Sequence, residues 1–186
     1  YGFGVNDFSG SISVKGKHIP EYTLWKAMLR RCYSETLISS RPTYSNCFVD
    51  NGLLSFTAFY NFIREQKGFG CIDSGGKSFH MDKDILGDGL RYGLDTICFV
   101  PQEINSFKTN TKSTSGEYPI GVLFHKASGK LVSQITINGK KKYLGLFEDP
   151  IYAFSVYKVE KEKQAKCLAE KYKGVIDARV YEKLLS

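Results

Sequence analysis

The sequence predicts an α+β fold in two successive regions. Two amphipathic helical patterns lie in residues 22–33 and 53–66, and short extended runs separated by Gly-containing turns occupy much of 78–147. Between the two regions, residues 105–116 (NSFKTNTKSTSG) are polar, rich in Ser and Thr, and lack apolar periodicity. Such a segment reads as a linker. The expected domains are therefore 1–108 and 117–186, joined by 109–116.

In YTLWKAMLRRCY (22–33), Leu24, Met28 and Cys32 recur at helical spacing, with Trp25 and Leu29 alongside and Arg30 and Arg31 expected on the outside. In LLSFTAFYNFIREQ (53–66), Phe56, Phe59, Tyr60 and Ile63 form one stripe, which is expected to pack against the first helix. Residues 78–86 then read as a strand, 87–89 (GDG) as a turn and 92–100 as a second extended piece, before a short helix opened by Pro101. Past the linker, 120–125, 131–137 and 142–147 read as three strands joined by Ser128-Gly129 and Asn138-Gly139, both strong hairpin signals. A long amphipathic helix starts at Glu148-Asp149-Pro150, runs to about Lys173 and is closed by Gly174. One helix covers only one face of a three-stranded sheet, so the other is open to solvent or to a ligand.

With 42% hydrophobic and 14% aromatic residues in 186, the chain can build a packed core. No apolar run reaches the roughly 18 residues of a membrane span, and Tyr1-Gly2-Phe3 lacks a signal-peptide layout. Five cysteines without a CxxC pair argue against a disulfide framework and against zinc, and suit reduced thiols in a cytosolic protein. The formal charge of +7 is uneven: residues 1–108 hold 12 Lys and Arg against 11 Asp and Glu, and 109–186 hold 14 against 8. A basic second region suits a polyanion such as double-stranded DNA, because phosphate contacts release counterions.

The stretch FHMDKDIL (79–86) places His80, Asp82 and Asp84 two residues apart, with Lys83 between the carboxylates. On an extended strand those three share one face. Carboxylates can hold a divalent cation, and a histidine of unperturbed pKa near 6.5 suits a general base.

In the second region, Gly121-Val122, Gly129-Lys130, Ile135, Gly139-Lys140, Leu144-Gly145-x-Phe147 and Ala153 through Tyr157 resemble the plant ethylene-response-factor (Apetala-type) DNA-binding domain. That resemblance implies a sheet lying in the DNA major groove. Its exposed-face candidates are Leu123, His125, Gln134, Thr136, Lys141 and Tyr143, with Gln134 on a base edge and Lys126, Lys141 and Lys142 on phosphates. Leu123 and Thr136 stand where that family usually has arginine.

The first region resembles the degenerate HNH family of bacteriophage homing-type endonucleases, through GFGVND, YTLWKAMLRRCY, RPTY, Phe56 and Phe59, MDKDILGDG, Tyr92, FVP and IN. The resemblance implies an HNH-like ββα-metal module with flanking helices and a single Mg²⁺ or Mn²⁺. Asp82 and Asn105 are its ligands, with Asp84 in support. Lys83 holds the usual place of the general-base histidine and Thr96 that of the middle Asn, so either His80, on the same strand face as Asp82, or Lys83 would activate water or stabilise charge. Together the regions imply a site-directed DNA endonuclease acting in the bacterial cytoplasm. The alternatives are a catalytically silent phage DNA-binding protein on the same fold, and a phage inhibitor of a host defence protein.

Overall fold

The computed structural model describes residues 2–109, 117–137 and 139–186, with only the backbone of Lys108 and Thr109. The expected linker therefore lies outside the described residues, apart from Thr109, as does Asn138 of the second hairpin. The chain divides into two compact units, Tyr1–Pro101 with Gly174–Val180, and Gln102–Lys173 with Tyr181–Ser186.

In the first unit, a small hairpin of β1 (Ser13–Val14) and β2 (Lys17–His18) leads into α1 (Pro20–Tyr33). Pro20 sits in its first turn, where a missing N–H costs nothing. A short helix α2 (Glu35–Ser40) follows, capped by Ser34, whose Oγ accepts the Leu37 N–H. Next come β3 (Phe48–Val49) and α3 (Phe56–Arg64). The second helix is shorter than the sequence suggests, because Asn51–Leu53 form a 3-10 turn and Ser55 caps at Ala58 N. Trp25, Met28 and Leu29 of α1 are buried, as are Phe56, Phe59 and Ile63 of α3, and the two helices pack together. Each such side chain contributes roughly 1.5–3 kcal/mol. Glu21, also buried on α1, is held by Arg64 at 2.9 Å.

Residues 78–100 differ from the expected pair of strands. β4 is only His80–Asp82, and the extended piece splits into β5 (Arg91–Tyr92) and β6 (Cys98–Val100). β5 pairs in parallel with β3, placing Tyr92 beside Val49, while β6 pairs antiparallel with β4, Asp82 opposite Cys98. The split is made by a turn that Thr96 closes: its Oγ1 accepts the Gly93 N–H at 2.9 Å and donates to Arg91 O at 2.8 Å.

The second unit starts with α4 (Gln102–Thr109), whose Ile104 and Phe107 are buried, so residues 105–109 are helical rather than linker. An antiparallel sheet follows in the order β7 (Val122–His125), β8 (Lys130–Ile137), β9 (Lys140–Phe147). Then comes α5 (Pro150–Lys171), N-capped by Asp149, whose Oδ1 accepts the Tyr152 N–H at 2.6 Å. Val122, Leu131 and Ala153 form a buried cluster between sheet and helix, with Phe147 packed against it. Gly121 has φ +79 and lies under the Tyr157 ring, so close that any Cβ would stand 2.1 Å from it. The last helix, α6, is Ala178–Leu185. The mixed α+β class, the three-stranded sheet and its helix are as expected.

Candidate functional site

In the first unit, the carboxylate expected on the metal also shapes its own strand end. Asp82 Oδ1 accepts the backbone N–H groups of Asp84 at 2.8 Å and Ile85 at 2.9 Å. Those bonds fold 83–86 into a turn, and this is why β4 stops at Asp82 rather than running to 86. Asp84 is therefore off the strand and does not share the face that holds His80 and Asp82. His80 is exposed at the start of β4, whereas Asp82 is 9% exposed. Burial raises the Asp82 carboxyl above the usual carboxylate range, against the two backbone hydrogen bonds that lower it.

Lys83 is 5% exposed. Its Nζ donates to Asp84 Oδ1 at 2.6 Å and to the Gly89 carbonyl, and stands 5.4 Å from the Tyr92 ring centroid. Burial works to lower its pKa, but the hydrogen bond and charge of Asp84 outweigh it, and the ammonium is held above its ordinary value. A lysine held that way carries charge and cannot accept a proton at neutral pH.

Arg31 departs from expectation. It does not point outside, but is half-buried and donates to Tyr92 Oη at 3.1 Å. The Tyr92 phenol is pushed up to about 12 by burial, with Arg31 acting against that. Burial works to lower the Arg31 pKa, yet Tyr92, and to a smaller degree the Asp82 charge, hold it raised. Arg31 follows Met28 by three residues, and that spacing places it on the buried side of α1. Asn105 is half-buried on α4 of the second unit; its role as a second ligand rests on the resemblance.

In the second unit, strand pairing decides which side chains share a face. Opposite pairs run His125 with Lys130, Leu123 with Val132, Val132 with Leu146, Gln134 with Tyr143, and Thr136 with Lys141. Residues directly opposite in an antiparallel sheet point to the same side. Alternation along β8 puts Lys130, Val132, Gln134 and Thr136 on the side away from the buried Leu131, Ser133 and Ile135. All six expected face residues, Leu123, His125, Gln134, Thr136, Lys141 and Tyr143, therefore stand together on the side that α5 leaves uncovered. Lys126 lies in the exposed turn after β7. Lys142 differs from its expected place: it pairs with Ile135 on the helix side, and its Nζ binds Glu160 of α5 at 2.6 Å.

Among the described residues no group of three or more His, Cys, Asp or Glu side chains comes together, and no helix is long and apolar enough to cross a membrane. No known protein family matches the chain, and neither the curated proteins nor the solved structures yield a similar one.

Proposed function

We propose that the protein is a site-directed DNA endonuclease of the phage HNH homing type, in which the open sheet face of the second unit holds double-stranded DNA and Asp82 of the first unit serves phosphodiester hydrolysis. The observation that carries the reading is the pairing register that gathers His125, Gln134, Thr136, Lys141 and Tyr143 on one uncovered face. A twisted β element of that kind fits the major groove, where amide, hydroxyl and ammonium groups meet base edges and phosphates.

Asp82 suits Mg²⁺ or Mn²⁺ as an oxygen donor, and both of its hydrogen bonds end on Oδ1. Asp84 suits a supporting role less well, because the Lys83 ammonium already occupies its Oδ1. A bound divalent cation would neutralise charge on the phosphate and acidify a water. The chain's own contribution follows from the side chains. Lys83, kept cationic, stabilises negative charge around Asp84 and does not act as base, so the base role falls to His80, exposed on the strand that ends in Asp82. Arg31, which donates to Tyr92 and feels the Asp82 charge, adds positive charge to the unit.

The test is incubation of supercoiled DNA with the purified protein in Mg²⁺, Mn²⁺ or EDTA, beside Asp82→Asn. Metal-dependent nicking or linearisation that the variant lacks is the expected result. Equal cutting by both proteins would remove the centre of the proposal. A second reading, a nuclease fold retired into DNA recognition, is favoured by Lys83, since the residue in the base position is buried and ion-paired. Salt-sensitive binding without cutting in any metal would establish it.

A further inference from the structure

We infer that the outer sheet face reads the C5-methyl group of thymine in the major groove, through a row of three aliphatic side chains, Leu123, Val132 and Leu146, set beside the amide of Gln134; this deepens the DNA-binding function proposed for that face and rests on it. The row is fixed by pairing, Leu123 opposite Val132 and Val132 opposite Leu146, so the three side chains cross all three strands on one face. Leu123 is 52% and Leu146 42% exposed, and Val132 is half-buried. They are not the margin of the core, which lies on the other side of the sheet with Val122, Leu131 and Ala153.

The neighbouring rows say what kind of surface meets this strip. His125 and Lys130 precede it along β8, and Gln134 with Tyr143, then Thr136 with Lys141, follow it. None of these is acidic, and although Lys130 is shared with Glu148 at 3.0 Å, the sequence from 109 to 186 carries 14 Lys and Arg against 8 Asp and Glu. Such a rim fits a polyanion, while the strip fits an apolar group presented by it. In the major groove of B-DNA the unmodified bases present one such group, the thymine methyl. Gln134 supplies the complementary pattern, since an amide can bond adenine N7 and N6 together. No arginine stands in these rows, which leaves Lys130, shared with Glu148, and Lys141 as their candidates for guanine. Successive rows on β8 are about 7 Å apart, close to the rise of two base pairs at roughly 3.4 Å each. The expected site thus has a thymine under the aliphatic row and an adenine about two steps away, under Gln134.

The experiment selects the preferred site for the full-length protein from random duplexes in EDTA. The selected thymine is then replaced by uracil, which removes the methyl and keeps every hydrogen-bonding group, or by cytosine or 5-methylcytosine. Uracil is expected to weaken binding about fourfold for each methyl lost. Leu123→Ala, at an exposed position that leaves the core intact, is expected to bind the thymine and uracil duplexes alike. Equal binding of thymine and uracil by the parent protein, with affinity still falling steeply with salt, would overturn the inference and leave DNA binding standing. Tighter binding of 5-methylcytosine than of thymine would overturn thymine as the source of the methyl. Failure to bind any duplex would overturn the DNA-binding reading itself.

Discussion

Asp82 Oδ1 accepts the backbone N–H of Ile85 at 2.9 Å, so the carboxylate proposed for hydrolysis also closes the turn that ends its strand. Two substitutions separate those duties. Asp82→Asn keeps an oxygen for the Asp84 and Ile85 amides and should stay within about 1 kcal/mol of the parent in stability, the more so because burial already disfavours the charge. Asp82→Ala leaves two amides without an acceptor and should cost about 1–3 kcal/mol. Both should lose cleavage. Thermal melts run beside the nicking assay check it, and an active Asp82→Asn protein would contradict it.

Lys141 and Lys142 are adjacent in sequence and opposite in duty. Lys141 stands on the open face, so Lys141→Gln should lower the slope of log affinity against log salt by about one unit. Lys142 is held by Glu160 on the helix side, so Lys142→Gln should leave that slope unchanged and destabilise by at most about 1 kcal/mol. Titration of DNA binding at several salt concentrations distinguishes them.

Asp7 ties the N-terminal segment to the start of α3. Its carboxylate accepts the Thr57 N–H at 2.9 Å and the Ser55 hydroxyl at 2.7 Å. Chiefly through the Thr57 amide, these lower its pKa from 3.8 to about 2. A depressed folded pKa means that folding favours the ionised form. The contribution is complete well above 3.8 and is lost as pH falls through about 2. Melting temperatures of the parent and Asp7→Asn should differ at neutral pH and converge toward the acid end.

Gly121 cannot take a side chain without cost. At φ +79 an L-residue is strained, and its Cβ would stand 2.1 Å from the Tyr157 ring. Gly121→Ala should destabilise by about 2–4 kcal/mol, read as a loss of denaturation midpoint. Unchanged stability would mean that Tyr157 moves freely, against its burial on α5.

Local periodicity made much of the scaffold legible. Met28 and Cys32, or Phe56, Phe59 and Ile63, mark a buried helix face wherever they occur, because 3.6 residues per turn and the need to bury apolar surface act on the segment alone. Asp149-Pro150 likewise starts α5 by satisfying local amides. The strand expected over 78–86 is cut short for an equally local reason that composition does not reveal: an aspartate at its middle instead accepts the amides two and three residues on. The charge of Arg31 suggests solvent, while the Tyr92 hydroxyl that receives it arrives from 61 residues away.

The sequence by itself determined the helices α1, α3 and α5, the three C-terminal strands and the identity of the polar side chains on β8, since alternation follows from the pleat. Only the tertiary structure decided who joins them from β9. A register shift between Ser133 and Gln134 sets Gln134 opposite Tyr143 yet Val132 opposite Leu146, three residues further along. An unbroken alternation from Tyr143 would have put Gly145 and Phe147 on the open face. The bulge instead turns Leu146 outward and Phe147 into the cluster under α5, and a shift of that kind depends on two strands meeting, which no single strand encodes.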